Sequence, residues 1–254
     1  MDRPNPIIVL WSHPRSMSTA TERLMRERGD LDCLHEPFMY DYYVHRQVRR
    51  FPHFEPQPDH PRSYDDIRAM LLDRAAAGPV FLKDMAYYVV PRILEDPELL
   101  QRMRHAFLIR DPAAALASYY RIDPDLTCEE VGLEAQWRLF RGLRDRGLDA
   151  PVVRAEDVRG APERVIGALW QRLGLQYVAS AFDWSEAPPE DWAQVGDWHG
   201  QAESSTGIKP VSEAERAKKA RQFEEAAQTS PRLRDLLAHH QPFHDRLAAH
   251  ALTG

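Results

Sequence analysis

The sequence predicts a three-layer α/β/α protein with a central parallel sheet of about five strands and helices on both faces. Short apolar segments bounded by charge or proline alternate with longer segments of helical spacing. Alternating strands and helices favour right-handed βαβ crossovers, which produce a parallel sheet. We expect one domain over residues 1–254, with a core at about 5–180 and a C-terminal loop and helical extension at about 181–254.

Five apolar segments are each too short for a helix and are predicted to be buried strands. Charged residues or prolines flank each of them, as expected where a strand leaves the sheet. The predicted strands occupy residues 7–11, 31–34, 80–82, 106–109 and 151–153.

Between these strands, capping residues, glycines and a proline mark the ends of predicted helices. Ser18 or Thr19 is positioned to cap a helix that ends before Gly29. A helix from Tyr64 is expected to stop at Gly78, and Pro112 follows Asp111 at a typical first helical turn; these are the clearest boundaries in the chain.

Two long polar segments interrupt the predicted strands and helices. Residues 51–62 hold four prolines and are expected to be extended, and residues 201–210 are polar and loop-like. Beyond the second break, residues 212–228 and 231–250 are predicted helices. They either pack on the sheet or form a contact in a homodimer.

Composition disfavours several functional classes. The formal net charge of −6 lacks the basic excess of a nucleic-acid-binding surface. No apolar run approaches the roughly 20 residues that span a bilayer, and the N-terminus lacks the apolar part of a secretory signal. The two cysteines, Cys33 and Cys128, are expected to be reduced thiols, which favours a cytoplasmic protein.

Three histidines near the C-terminus raise the question of a metal. His239, His240 and His244 are close in sequence, but Pro242 is expected to interrupt their helical spacing. No cluster of carboxylates accompanies them. We therefore predict no metal site.

Polar or charged residues follow all five predicted strands. Open parallel sheets bind ligands outside the carboxyl ends of their strands, so these residues mark the expected site. The residues are 12–19 after the first strand, His35 and Glu36 after the second, Lys83 and Asp84 after the third, Arg110 and Asp111 after the fourth, and Arg154 at the fifth.

The first of these loops is suited to an anion. It joins a strand to a helix N-terminus, where unpaired N–H groups and the helix dipole attract negative charge. Arg15 adds a guanidinium, and Ser16, Ser18 and Thr19 add hydroxyl donors. Because the loop has no glycine or lysine, a metal-free phosphate ester is favoured over a Mg²⁺–nucleoside triphosphate. The alternative is an ordinary strand–helix turn.

Two motifs make the chain resemble the sulfotransferase family. The segment PRSMST at 14–19 resembles the family's 5′-phosphosulfate loop, and Arg110-Asp111-Pro112 with Ser118 resembles its 3′-phosphate motif. The segments LHEPF, LKD and RAEDV are further similarities. The resemblance implies a P-loop-nucleotide-kinase-like fold with strand order 2-3-1-4-5. It also implies 3′-phosphoadenosine-5′-phosphosulfate as co-substrate, 3′,5′-adenosine bisphosphate as product, and no metal.

The resemblance assigns nucleotide contacts residue by residue. The chain departs from the family where Met17 replaces a glycine of the loop and where Ala155 replaces a tyrosine. It also lacks the later glycine-rich stretch over the 3′-phosphate, for which residues 204–209 are the expected substitute. The nucleotide-binding residues so predicted are Pro14, Arg15, Ser16, Met17, Ser18, Thr19, Arg110, Ser118, Arg154, Ser205, Thr206 and Gly207.

Catalytic roles also follow from the resemblance. Lys83 and Arg15 are expected to stabilise the transferring sulfuryl group. Met85 stands where some relatives have a histidine base, so Glu36 is the favoured base and Asp84 the next candidate. Glu36 is alternatively a partner for Arg15 or an anchor for the backbone. His35 and His199 remain further candidates for the base.

The acceptor is expected to be a small molecule with a hydroxyl or amine. Aromatic residues are available to line its pocket, but each set is equally consistent with core packing. The two sets are Trp184, Trp192 and Trp198, and Tyr40, Tyr42, Tyr43 and Phe51. The alternatives to a sulfotransferase are a non-catalytic nucleotide-binding protein and a small-molecule kinase on the same fold.

Overall fold

The computed structural model describes residues 4–52, 54–184, 189, 192, 206–210 and 212–252. Within these ranges a parallel sheet of five strands has the order β2-β3-β1-β4-β5, which confirms the predicted class and strand order. The strands are β1 Ile7–Ser12, β2 Asp32–His35, β3 Val80–Met85, β4 Met103–Ile109 and β5 Val152–Arg154.

Helices connect the strands and extend the chain beyond them. The helices that were predicted from Tyr64 and from Pro112 are confirmed, and Asp111 caps the latter by accepting a hydrogen bond from Ala114 N–H. The α-helices are α1 Ser18–Glu27, α2 Tyr64–Ala77, α3 Ala86–Val89, α4 Pro97–Arg102, α5 Pro112–Tyr120, α6 Leu133–Asp145, α7 Ala155–Gly160, α8 Pro162–Arg172, α9 Glu213–Thr229 and α10 Arg232–Ala248.

The third strand is longer than predicted. Lys83 and Asp84 were expected to follow it in a loop, but they lie inside β3 and pair in register with Leu10 and Trp11 of β1. Hydrogen bonding from β1 on one side and β2 on the other carries the strand through Met85. Two ionisable side chains are therefore buried in the sheet, with 1% and 0% of their surface exposed.

The apolar core has two parts, one on each face of the sheet. Successive residues of β1 point to opposite faces, as the two-residue period of a strand requires. Ile7 and Val9 belong to the larger part, and Ile8 and Leu10 belong to the smaller part. Because helices cover both faces, the central strands are apolar along most of their length.

The two C-terminal helices pack on this core. Leu233 and Leu247 of α10 are buried in the larger part of the core, and Leu252 N–H donates a 2.8 Å hydrogen bond to the Val152 carbonyl of β5. Helix α10 continues through Pro242, so the predicted interruption there is wrong. No described helix has both the length and the apolar composition of a membrane span.

This packing predicts that α10 contributes to the stability of the whole domain. Leu247→Ala removes a fully buried side chain, which typically costs about 2–5 kcal/mol. We expect the urea midpoint of unfolding to fall accordingly. Arg234→Ala, on an exposed position of the same helix, should leave the midpoint nearly unchanged. Equal midpoints for wild type and Leu247→Ala would show that α10 is not part of the folded core.

Candidate active site

The loop between β1 and α1 has an unusual backbone. Arg15 and Met17 both adopt the left-handed conformation, with φ of 63° and 74°. This conformation costs a non-glycine residue roughly 1–2 kcal/mol. Met17 also takes the N-cap position of α1, so the predicted cap by Ser18 or Thr19 is wrong. Strain of this kind is stored where the surrounding structure and function require a particular backbone shape.

The two predicted phosphate motifs meet in space. The Arg110 guanidinium donates a 2.6 Å hydrogen bond to the Arg15 carbonyl, and Arg15 Nε donates a 3.0 Å hydrogen bond to Ser118 Oγ. In addition, Arg110 N–H donates to His13 Nε2 at 3.1 Å. The loop after β1 and the start of α5 therefore form one hydrogen-bonded unit at the carboxyl edge of the sheet.

Positive charge is concentrated at this junction. Burial and the charges of Arg110 and Arg121 lower the pKa of Arg15 to about 10. Burial also lowers the pKa of Arg110, and Arg159 lowers it further, although two nearby carboxylates oppose the shift. A pKa lowered by neighbouring cations means that an anion placed among them would be stabilised.

Lys219 of α9 belongs to the same group of cations and was missed by the sequence analysis. Burial lowers the pKa of Lys219, and the charges of Arg110 and Arg159 lower it further. Lys219 lies in a highly charged helix with no recognisable motif, so nothing in the sequence distinguishes it. The packing of α9 against α5 brings it to the junction. Arg159 of α7 was missed for the same reason.

The remaining nucleotide assignments have less geometric support. The Thr206 carbonyl accepts a hydrogen bond from Trp184 N–H, and a side chain at Gly207 would lie 3.2 Å from the Phe182 carbonyl. These contacts place residues 206 and 207 beside the smaller core. Arg154 ends β5, with Nε 3.9 Å from Asp157 Oδ2. Ser205 lies outside the described residues.

A cleft opens beside the loop. Its empty space, including the open mouth, is about 440 Å³. One wall is the phosphate loop and the other is largely apolar and aromatic, with a carboxylate and an imidazole between them. The lining residues are Pro14, Arg15, Ser18, Thr19, His35, Glu36, Phe51, Met85, Tyr87 and Tyr88.

Glu36 is held between a cation and a phenol. Its Oε1 forms an ion pair with the ammonium of Lys83, and its Oε2 accepts a 3.0 Å hydrogen bond from Tyr88 OH. Glu36 N–H also donates to the Lys83 carbonyl at 2.9 Å, which ties the end of β2 to β3. Glu36 has a positive φ of 44°, so this placement also carries backbone strain. Its predicted alternative partner was Arg15, but its ion pair is with Lys83.

A second buried carboxylate, Glu22 of α1, was also missed. Its side chain is fully buried, and its Oε2 lies 2.7 Å from His35 Nδ1 and 3.6 Å from Lys83 Nζ. Burial alone would raise the pKa of Glu22, but the interaction with His35 and the charge of Lys83 hold it well below its usual range. The signal that could have identified it is a glutamate on the buried face of an amphipathic helix.

Asp84 does not line the cleft. Its carboxylate is fully buried and accepts 3.0 Å hydrogen bonds from the N–H groups of Phe38 and Met85. Burial, and then the negative charge of Glu36, raise the pKa of Asp84 well above its usual range. These contacts anchor the backbone that follows Glu36. The role of Asp84 as the second candidate for the base stays a prediction.

The aromatic candidates divide between the core and the cleft. Tyr40, Tyr42 and Tyr43 are buried on a π-helical turn, Tyr40–His45, and belong to the core, whereas Phe51 lines the cleft. Trp184 is packed in the smaller core. Trp192 Nε1 donates a 2.9 Å hydrogen bond to Glu22 Oε1. Trp198 and His199 lie outside the described residues.

Among the described residues, one group of potential metal ligands lies away from the cleft. Ligand atoms of Cys128, His239 and His240 lie within 4.8 Å of one another, and His244 is not part of the group. His240 Nε2 lies 2.9 Å from the Cys128 carbonyl, and His239 Nε2 lies 2.8 Å from Glu134 Oε2. Both imidazoles therefore have protein partners. The absence of a metal from the cleft chemistry stays a prediction.

Known proteins similar to this chain include both plant and bacterial sequences. Two Arabidopsis thaliana proteins, named branched-chain-amino-acid aminotransferase-like protein 2 and 1, are each 26% identical over 216 residues. The match covers 80% of this chain but only 36% of each plant protein, so the chain spans about a third of their length.

A solved structure and a family model bear on the fold and the family. The structure of the sulfotransferase domain from the Synechococcus PCC 7002 olefin synthase superposes with a TM-score of 0.52 at 18% identity, covering 88% of this chain and 96% of that domain. At this identity the similarity shows the fold alone. A family model described as the sulfotransferase domain matches residues 7–226. Because that match covers most of the chain, the protein belongs to the sulfotransferase domain family.

Proposed function

We propose that this protein transfers a sulfuryl group from 3′-phosphoadenosine-5′-phosphosulfate to a hydroxyl or amine of a small molecule. The observation that carries the proposal is the junction of the two phosphate motifs, in which Arg110 and Ser118 hydrogen bond to Arg15 beside the cleft. A nucleotide with phosphates at two positions matches two anion-binding motifs that are joined but distinct. Family membership supports the reaction class.

In this proposal the two ends of the nucleotide have separate binding groups. The N-terminus of α1, together with Arg15, Ser18 and Thr19, holds the 5′-phosphosulfate through N–H groups, hydroxyls and the helix dipole. Arg110 and Ser118 hold the 3′-phosphate. Lys219 and Arg159 add positive charge there, in place of the glycine-rich stretch that the chain lacks.

The chemical step would combine positioning with charge stabilisation. Sulfuryl transfer resembles phosphoryl transfer in passing through a loose, in-line transition state with negative charge on the outer oxygens. Lys83 supplies positive charge to those oxygens, and Glu36 accepts the proton of the acceptor. In the free protein these two groups neutralise each other. Donor binding would draw Lys83 towards the sulfuryl group and release Glu36 to act as base.

The acceptor would bind against the aromatic wall of the cleft. Met85, Tyr87 and Phe51 offer apolar surface, and Tyr88 holds the proposed base at the back of the cleft. This arrangement favours a small acceptor with an apolar body and one reactive hydroxyl or amine. A cytoplasmic location and a homodimer remain predictions from the sequence.

We expect the protein to bind 3′,5′-adenosine bisphosphate without added metal. Adenosine 5′-monophosphate lacks the 3′-phosphate that Arg110 and Ser118 would contact, so it should bind at least about tenfold more weakly, the loss expected for charge-assisted hydrogen bonds. Calorimetry with both nucleotides, with and without EDTA, measures this. Equal affinity for the two nucleotides would remove the 3′-phosphate from the proposal.

Lys219 provides a more specific test of the 3′-phosphate site. Lys219→Ala should weaken binding of 3′,5′-adenosine bisphosphate while leaving adenosine 5′-monophosphate binding almost unchanged, because only the former carries the extra phosphate. Lys218→Ala is the matched control, since it removes the same charge from the neighbouring, exposed position of α9. Arg110→Ala should cost about 1.5–3 kcal/mol of nucleotide binding. Equal effects of the two lysine variants would indicate a general electrostatic effect instead.

Glu36→Gln tests the base. The change keeps the shape of the side chain but removes its ability to accept a proton, so turnover should fall by about 10²-fold or more. Nucleotide affinity should stay within a few-fold of wild type. Turnover is followed as labelled sulfate transferred to pools of small hydroxyl and amine compounds. Asp84→Asn should lose less, because Asp84 anchors the backbone; the opposite order would transfer the role of base to Asp84.

A further inference from the structure

Four ionisable side chains form a buried network behind the cleft. Glu22, His35, Glu36 and Lys83 are each no more than 8% exposed, and they come from α1, the end of β2 and β3. Burying charge is costly unless each group is paired and hydrogen bonded. Lys83 pairs with Glu36. The network holds a second carboxylate, Glu22, which contacts His35.

The contacts of Glu22 determine how His35 is oriented. Glu22 Oε1 accepts hydrogen bonds from Trp192 Nε1 at 2.9 Å and from Arg26 Nε at 2.9 Å, which fix the carboxylate. Its Oε2 is left facing His35 Nδ1 at 2.7 Å. Because an ionised carboxylate only accepts hydrogen bonds, Nδ1 must carry a proton. In the neutral imidazole the lone pair is then on Nε2.

His35 Nε2 points towards the proposed base. It lies 3.8 Å from Glu36 Oε1, the same oxygen that pairs with Lys83 in the free protein. Once Lys83 moves to the sulfuryl group, Glu36 Oε1 and His35 Nε2 have to come closer by less than about 1 Å to reach hydrogen-bonding distance. His35 also lines the cleft, so its ring is next to the space where chemistry would occur.

We propose that Glu22 is a positioning residue that fixes His35 as a proton acceptor, and that His35 takes from Glu36 the proton that Glu36 removes from the acceptor. The inference rests on the proposed function. In the transfer step the acceptor oxygen or nitrogen bonds to sulfur, the bond from sulfur to the phosphate oxygen breaks, and that oxygen keeps the electron pair. The acceptor's proton passes to the Glu36 carboxylate and then to His35 Nε2. Glu22 stabilises the resulting imidazolium.

This relay would restore the charge of Glu36 before the next turnover. A protonated Glu36 no longer neutralises Lys83, and Glu22 at 3.6 Å is the remaining anion for that ammonium. Passing the proton to His35 returns the negative charge to Glu36. The imidazolium carries the proton to the wall of the cleft, where it is released to solvent after the product leaves.

The first test uses nuclear magnetic resonance and needs no acceptor. In the wild-type protein the His35 imidazole should show the tautomer with the proton on Nδ1. The charged or titratable groups around it are Glu22 and Arg26 of α1, Glu36 after β2, and Lys83 and Asp84 of β3. Glu22→Gln replaces the anion that holds this proton with a neutral amide, so the tautomer with the proton on Nδ1 should no longer dominate, whereas Glu36→Gln should leave that tautomer in place.

Glu27→Gln is the matched control. It makes the same substitution on α1, at a carboxylate that pairs with Arg23 and not with His35, and it should leave the His35 resonances unchanged. A wild-type His35 with its proton on Nε2, or a tautomer that Glu22→Gln leaves unchanged, would overturn the inference whether or not the protein proves to be a sulfotransferase.

The second test separates turnover from substrate binding. Glu22→Gln should lower turnover by about 10²-fold or more while the Michaelis constant changes little, and His35→Gln should cause a loss of similar size. Adding Glu22→Gln to His35→Gln should cause little further loss, because Glu22 acts through His35. A purely structural role for Glu22 would reduce the amount of folded enzyme without changing turnover per folded molecule, which would overturn the relay.

Failure of the proposed function would give a different result. If the protein fails to bind 3′,5′-adenosine bisphosphate, the donor is wrong, but the tautomer of His35 still tests the arrangement of Glu22 and His35. If the nucleotide binds and His35→Gln keeps wild-type turnover, the donor stands and the relay is wrong.

Discussion

The burial of the Lys83 ammonium inside β3 is the constraint on which much of this structure depends. A charge in the middle of a sheet is tolerated only if counter-charges are brought to it, and removing one partner of a buried pair costs about 3–5 kcal/mol. Glu36 provides one counter-charge from the end of β2, and Glu22 provides another from α1. The cation thereby draws the first helix and the turn after β2 to the same point, and its partner Glu36 lines the cleft.

A second requirement is the shape of the loop after β1. Its backbone turns through two left-handed residues that are not glycine, and the guanidinium of Arg110 holds the carbonyl of one of them. The hydrogen bond to Arg15 offsets part of the conformational cost. It also makes the loop dependent on β4 and α5, so the two predicted phosphate motifs form one hydrogen-bonded unit although almost a hundred residues separate them in sequence.

The C-terminal helices add to this unit. Helix α9 packs against α5 and brings Lys219 to the cations of the junction, while α10 packs on the larger core beside it. In the proposed function, this lysine takes the place of the glycine-rich stretch that the chain lacks, although nothing in the sequence of its helix distinguishes it.

The sequence by itself determined the class of the fold, the five strands and the position of the loop between β1 and α1, because these depend on local properties: apolar runs, helix boundaries and a short motif. It also placed Glu36 and Lys83 at the carboxyl edge of the sheet. Only the tertiary structure decided that Lys83 lies inside a strand, that Asp84 anchors a backbone turn, that Glu22 contacts His35 and Lys83, and that Lys219 lies near Arg110. Each of these outcomes rests on burial and on charges contributed by distant segments. A linear pattern does not record such contacts, because they exist only once the helices pack on the sheet.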